Sequence, residues 1–89
     1  MNAYLVTYDL SAPGQKYRCI KQIIESNYMW LHFMESNFSI KTHQSPDQIR
    51  DTLSKCLDEN DSLIVIELSR DWASYGISQE AINWLYQNL

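Results

Sequence analysis

Between Ala3 and Leu10 the chain alternates. Tyr4, Val6, Tyr8 and Leu10 fall on one side, and Ala3, Leu5, Thr7 and Asp9 on the other. β-branched and aromatic residues at period two predict a strand that is largely apolar on both faces. Ser11-Ala12-Pro13-Gly14 breaks it, with Pro13 suited to a first helical turn. Tyr17, Ile20, Ile23 and Ile24 then recur at helical spacing, with Lys16, Arg18, Lys21, Gln22 and Glu25 between them, so this helix ends near Ser26-Asn27. Trp30 to Met34 and Asn37 to Thr42 read as two further strands joined by a tight turn at Glu35-Ser36.

The second half opens on a sharper signal. Ser45 caps, Pro46 takes the first helical position, and Gln48 completes a capping box. Ile49, Leu53, Cys56 and Leu57 form the apolar stripe of this second helix, which stops at Asp58-Glu59-Asn60-Asp61. Asp51 and Lys55 are spaced for an i,i+4 ion pair on its wet side. From Ser62 to Leu68 neither side is polar before Glu67, which predicts a fourth strand covered on both faces. Ser69 to Gly76 reads as a connection or a short extra strand. Ser78 caps a last helix, Ile77 and Ile82 are placed as a hydrophobic staple, and Ala81, Leu85 and Leu89 make its stripe with Trp84 alongside.

Strand, helix, strand, strand, helix, strand and a closing helix is the split βαβ order. It predicts an α+β class protein, a ferredoxin-like βαββαβ sandwich with an extra C-terminal helix. Residues 1–89 form a single domain in this reading, with a core at about 3–68 and the connection and helix at about 69–89. The usual strand order of this fold is 4-1-3-2, with both main helices on one face. The other face then carries apolar strand positions that need a cover. The last helix is one candidate cover and a second copy about a two-fold axis is another. The expectation is a homodimer to which the last helix contributes.

Composition narrows the class without naming an activity. A length of 89 residues allows one small domain, and a hydrophobic share of 45% is too high for disorder. Two glycines and two prolines exclude collagen-like or linker-like chains. A net charge of -4 excludes a general nucleic-acid coater, which needs a basic surface. The N-terminus has no basic segment leading into a long apolar run, and no stretch is long and apolar enough for a transmembrane helix. A cytoplasmic protein without a membrane partner is therefore expected. Cys19 and Cys56 lie far apart inside helical stripes and read as reduced, half-buried thiols, as a cytosolic pool would keep them.

Three short segments carry a family resemblance. Tyr4-Leu5-Val6-Thr7-Tyr8-Asp9-Leu10 resembles the first strand of the second CRISPR-associated protein family, the small dimeric subunit of the spacer-integration complex, in which Tyr-Asp is followed by an aliphatic residue. Asn37-Phe38-Ser39-Ile40 resembles that family's third strand, and Asn60-Asp61-Ser62-Leu63-Ile64-Val65-Ile66 its last main strand. Tyr75-Gly76-Ile77-Ser78 with Trp84-Leu85 and Asn88-Leu89 is similar to the tail of the SinR-like branch. A more distant likeness is to the virulence-associated ribonuclease toxin group. The resemblance implies a homodimer with facing sheets and an Asp9 from each subunit near the two-fold axis. That pair would bind one Mg²⁺ and support phosphodiester cleavage. Three features depart from the family pattern: Lys41 stands where Phe is usual, Ser-Ala-Pro-Gly follows the strand without a second acidic residue, and the net charge is acidic.

The residues themselves leave two readings open at each position. Asp9 is a candidate catalytic residue and metal ligand, since a carboxylate doubled by symmetry suits a hard cation that activates water; it is also placed to cap the turn at Ser11-Ala12. Tyr8 is suited to stack a base or bond a phosphate, or to lie in a dimer interface. Arg18 is suited to pair with a phosphate, or to be a solvated helix charge. Ser39 is suited to contact a phosphate or a metal-bound water, or to be a small residue at a strand pairing position. His32 and His43 do not share metal-ligand spacing with each other or with the cysteines. Three function classes follow: a dimeric scaffold without catalysis, a metal-dependent endonuclease acting on RNA or DNA, and a toxin- or antitoxin-like partner of another small protein that offers a sheet edge. A basic patch beside Asp9, built from Lys16, Arg18 and Lys41 brought together across the dimer, would favour the nuclease over the scaffold.

Overall fold

A computed structural model describes residues 1–11 and 13–89, and of Pro13 the backbone alone. The elements run β1 (Asn2–Asp9), α1 (Pro13–Asn27), β2 (Met29–Met34), β3 (Asn37–Thr42), α2 (Pro46–Leu53), a 3-10 turn (Ser54–Cys56), β4 (Ser62–Glu67) and α3 (Gln79–Asn88). The four strands form one antiparallel sheet in the order β2-β3-β1-β4. Ala12, which the sequence places in the turn after β1, lies outside the described residues.

The alternation in β1 assigns its side chains to two different layers. Tyr4, Val6 and Tyr8 lie in register with Ile40 and Phe38 on β3 and with Val65 and Leu63 on β4. This first face is sealed by Ile20 and Ile24 of α1 and by Ile49 and Leu53 of α2, all fully buried with Val6, Phe38 and Ile40. Each such side chain contributes about 1.5–3 kcal/mol relative to an exposed position. α2 begins as its sequence requires. Ser45 Oγ accepts from the Gln48 backbone N–H at 3.2 Å, and the Gln48 side chain accepts from the Ser45 N–H at 2.9 Å.

Two expectations about this layer change. α2 stops at Leu53, and the chain tightens into the 3-10 turn instead of continuing to Leu57. Lys55 therefore no longer sits one helical turn above Asp51, and Asp51 pairs with Arg50 at 3.0 Å. The cysteines are not free thiols. Cys19 of α1 and Cys56 of the 3-10 turn are joined in a disulfide with their Cα atoms 5.7 Å apart. The two stripes that looked independent in sequence face each other across the helical layer, and Cys56 is buried there.

The second sheet face is covered unevenly. The connection after β4 and helix α3 lie on the β2 side, where Ala3, Leu31, Ser39, Ala81 and Leu85 are buried. Ser78 caps α3 by accepting from the Ala81 N–H at 3.1 Å, after a turn in which Gly76 takes a φ of +79°. Glycine is the residue that adopts this left-handed conformation without strain. On the β4 side the cover ends. Ile64 and Ile66 remain 53% and 47% exposed, so β4 is not enclosed on both faces within one chain. No helix among the described residues is long and apolar enough to cross a membrane.

Candidate functional site

Asp9 is the last residue of β1 and is exposed. It pairs with Ser62, as Thr7 pairs with Ile64 and Leu5 with Ile66. Opposed residues in a ladder point to the same side, so Asp9, Thr7, Ser62, Ile64 and Ile66 share the part of the second face that α3 leaves open. Thr7, Tyr8, Asp9, Ser62, Leu63 and Ile64 line one shallow recess at this end of the sheet.

The turn-capping role available to Asp9 is filled by another residue. Asp61 Oδ1 accepts from the Ser11 backbone N–H at 2.9 Å and from Ser11 Oγ at 3.1 Å, while Asp61 Oδ2 accepts from the Asp58 N–H at 3.0 Å. Lys16 closes the group, with Nζ 2.8 Å from Asp61 and bonded also to Asp58. The ammonium and the backbone N–H donors hold the Asp61 carboxyl far below the usual carboxylate range, and Asp58 is lowered by the same lysine. Lys16 is raised in return. Sequence reasoning passed over this cluster. The signal was topological: Asp61 immediately precedes the strand whose first residue pairs with Asp9.

The other candidates are spread apart. Tyr8 lines the same recess as Asp9, but it belongs to the first-face core and its ring lies 5.5 Å from that of Tyr17. Its burial is supplied by its own chain, and that burial, with Tyr17 nearby, pushes the phenol up to about 12. Arg18 is exposed on α1, and no carboxylate among the described residues forms a salt bridge with it. Ser39 lies opposite Leu5, four residues along β1 from Asp9 and thus roughly 13 Å away along the strand direction. It is buried beneath the C-terminal segment. Lys41 lies opposite Ala3, farther still from Asp9. Lys16, Arg18 and Lys41 therefore do not form one basic patch beside Asp9 within a single chain.

His32 lies on β2 and His43 directly follows β3. His32 stacks on Phe38 with ring centroids 4.1 Å apart, its Nε2 3.2 Å from the Glu35 carbonyl oxygen, and His43 is exposed after β3. Among the described residues, no three or more His, Cys, Asp or Glu side chains gather as a metal-binding group. No protein-family model matches this chain, and a comparison with curated proteins returns no match.

Proposed function

We propose that this protein is a ferredoxin-like homodimer, akin to the CRISPR-associated dimeric family and its SinR-like branch, whose two Asp9 carboxylates share one Mg²⁺ and support endonucleolytic cleavage of RNA. The observation that carries this reading is the open strip of the second face. Ile64 and Ile66 are about half exposed beside Thr7, and Asp9 stands at the end of that same strip. A two-fold axis through the strip buries the isoleucines against their copies and brings the two carboxylates toward each other. Asp9 is available for this role because Asp61 bonds the Ser11 turn instead. The ferredoxin-like assignment is supported by the order β2-β3-β1-β4 and by the packing of α1 and α2 on one face.

When bound, Mg²⁺ would polarise a phosphate oxygen and lower the pKa of a bound water. The chain's own share is to hold Asp9 at a fixed strand end. The hydroxyls of Thr7 and Ser62 flank it on the same face.

A second reading is favoured by the charge distribution. Lys16 is held by Asp58 and Asp61, while Arg18 and Lys41 lie on other surfaces, so a phosphate backbone approaching Asp9 meets little positive charge from one chain. That arrangement suits a dimeric scaffold without catalysis, or a module that binds another small protein.

Cleavage of labelled single-stranded RNA and duplex DNA, with and without Mg²⁺ or Mn²⁺, separates the two. Metal-dependent RNA cleavage that falls at least a hundredfold in Asp9→Ala, with the dimer intact by light scattering, supports the nuclease. Equal or absent cleavage in both proteins supports the scaffold. A monomer at all concentrations removes both dimeric readings.

A further inference from the structure

The C-terminal segment does not lie flat on the sheet. Between it and the second face is a cavity of about 300 Å³, walled by Leu5 of β1, Phe33 of β2, Trp72 and Ile77 of the connection, and Leu85 of α3. Ser39 of β3 also lines it. Ser39 is 1% exposed, its hydroxyl is buried with it, and no protein group among the described residues bonds to that hydroxyl. A buried hydroxyl without a partner is unfavourable, and natural cores rarely keep one.

The walls show a second feature that points to a ligand. The pairing of β2 with β3 shifts between His32 and Met34, so Phe33 is an extra residue in the strand. Regular alternation would send Phe33 and Met34 to opposite faces. The bulge instead lets both line the cavity. Bulges that re-aim side chains are common beside binding sites. No charged side chain lines the cavity. A mostly apolar lining with a few polar groups, here the buried Ser39 and the exposed Ser74 and Tyr75, is the usual form of a small-molecule site.

We propose that this cavity binds a small neutral molecule with a largely apolar body and one hydroxyl or carbonyl oxygen, which bonds to Ser39 Oγ. Neutrality follows from the lining, since a carboxylate or ammonium would be desolvated there without a counter-charge. The aromatic walls from Phe33 and Trp72 favour a flat ring system. The site is separate from the Asp9 recess and does not depend on the nuclease reading.

The test uses 2-naphthol as the probe, with naphthalene and 2-naphthoate as the same ring system without the oxygen and with a charge. Amide and indole shifts in a proton–nitrogen NMR titration locate binding. Saturable one-to-one binding of 2-naphthol, with shifts at Phe33, Ser39, Trp72 and Leu85, is expected, and 2-naphthoate should bind more weakly. Ser39→Ala should weaken 2-naphthol roughly 2- to 10-fold and leave naphthalene unchanged. Its melting temperature should be at or above that of the parent, which shows that the variant folds.

Absence of saturation overturns the proposal, as do shifts confined to other surfaces. A Ser39→Ala variant that binds 2-naphthol and naphthalene in the parent ratio also overturns it. Shifts of the cavity residues on dilution without any probe would assign the cavity to a second copy instead.

Discussion

At the scale of single residues, Tyr8 and Asp61 carry opposite pH dependences of stability. Tyr8 is buried and raised to about 12, against an ordinary value of 10.0. A raised folded-state value means stability that is fully present below pH 10 and is lost as pH climbs from 10 toward 12. A shift of that size corresponds to at most roughly 3 kcal/mol, less where solvent screens the phenol. Tyr8→Phe should therefore flatten the alkaline limb of a melting-temperature profile, leaving the smaller loss that the raised Tyr28 and Lys16 contribute. Asp61 has the opposite sign. Its carboxyl is lowered, so its contribution is present above the unfolded value near 3.8 and disappears as pH falls below it. Asp61→Asn should lower the melting temperature by several degrees at neutral pH. It should also make stability less sensitive to acid as pH falls below about 4. Thermal melts in a pH series check both variants. Asp61 was not legible as important from sequence, because it sits in an acidic run, Asp58-Glu59-Asn60-Asp61, that reads as a solvated helix end. Its partners Ser11 and Lys16 are distant in the chain and meet it only through the β1–β4 pairing.

At the scale of elements, patterns contained within one segment were readable and contacts between segments were not. The Ser45 and Ser78 caps need only three or four adjacent residues, and both form as expected. The end of α2 depends on how the chain approaches β4, and its periodicity continued past the point where the helix stops. The disulfide is the clearest case. Cys19 and Cys56 each looked like a small apolar residue in its own stripe, and only the packing of α1 against the 3-10 turn puts them together. Closing a loop with a sequence separation of 37 should stabilise the fold by about 3–4 kcal/mol in the chain-entropy account. Reduction with a phosphine, or the Cys19→Ala/Cys56→Ala double variant, should lower stability by that order in urea unfolding. Unchanged unfolding under reducing conditions would mean that helix packing alone holds this layer. The bridge also bears on location. A disulfide persists in an oxidising compartment and opens in a reducing one.

At the scale of the whole molecule, the unequal cover of the second face decides how the protein meets others. The tail shields the β2 side and leaves Ile64 and Ile66 open on an edge strand. Sequence showed that β4 is apolar on both sides, but not which half of the sheet the tail would choose. If the open half is a self-association surface, Ile64→Lys/Ile66→Lys should give a folded monomer by light scattering while the parent is a dimer. Both side chains are already about half exposed, so the substitutions should cost the single chain less than about 1 kcal/mol. A parent that is monomeric at high concentration would leave the strip to a different protein.

The strand order also has a consequence in time. β1 is made before the other three strands, yet it lies between β3 and β4, and its pairing with β4 joins Tyr4 to Glu67 and Asp9 to Ser62. Its two hydrogen-bonding edges are thus filled one after the other, the second only once β4 has been made. Such late, long-range pairing slows folding and leaves an apolar edge unmatched in the nascent chain. For this protein, β1 keeps one unpaired apolar edge in the interval between the emergence of β3 and that of β4.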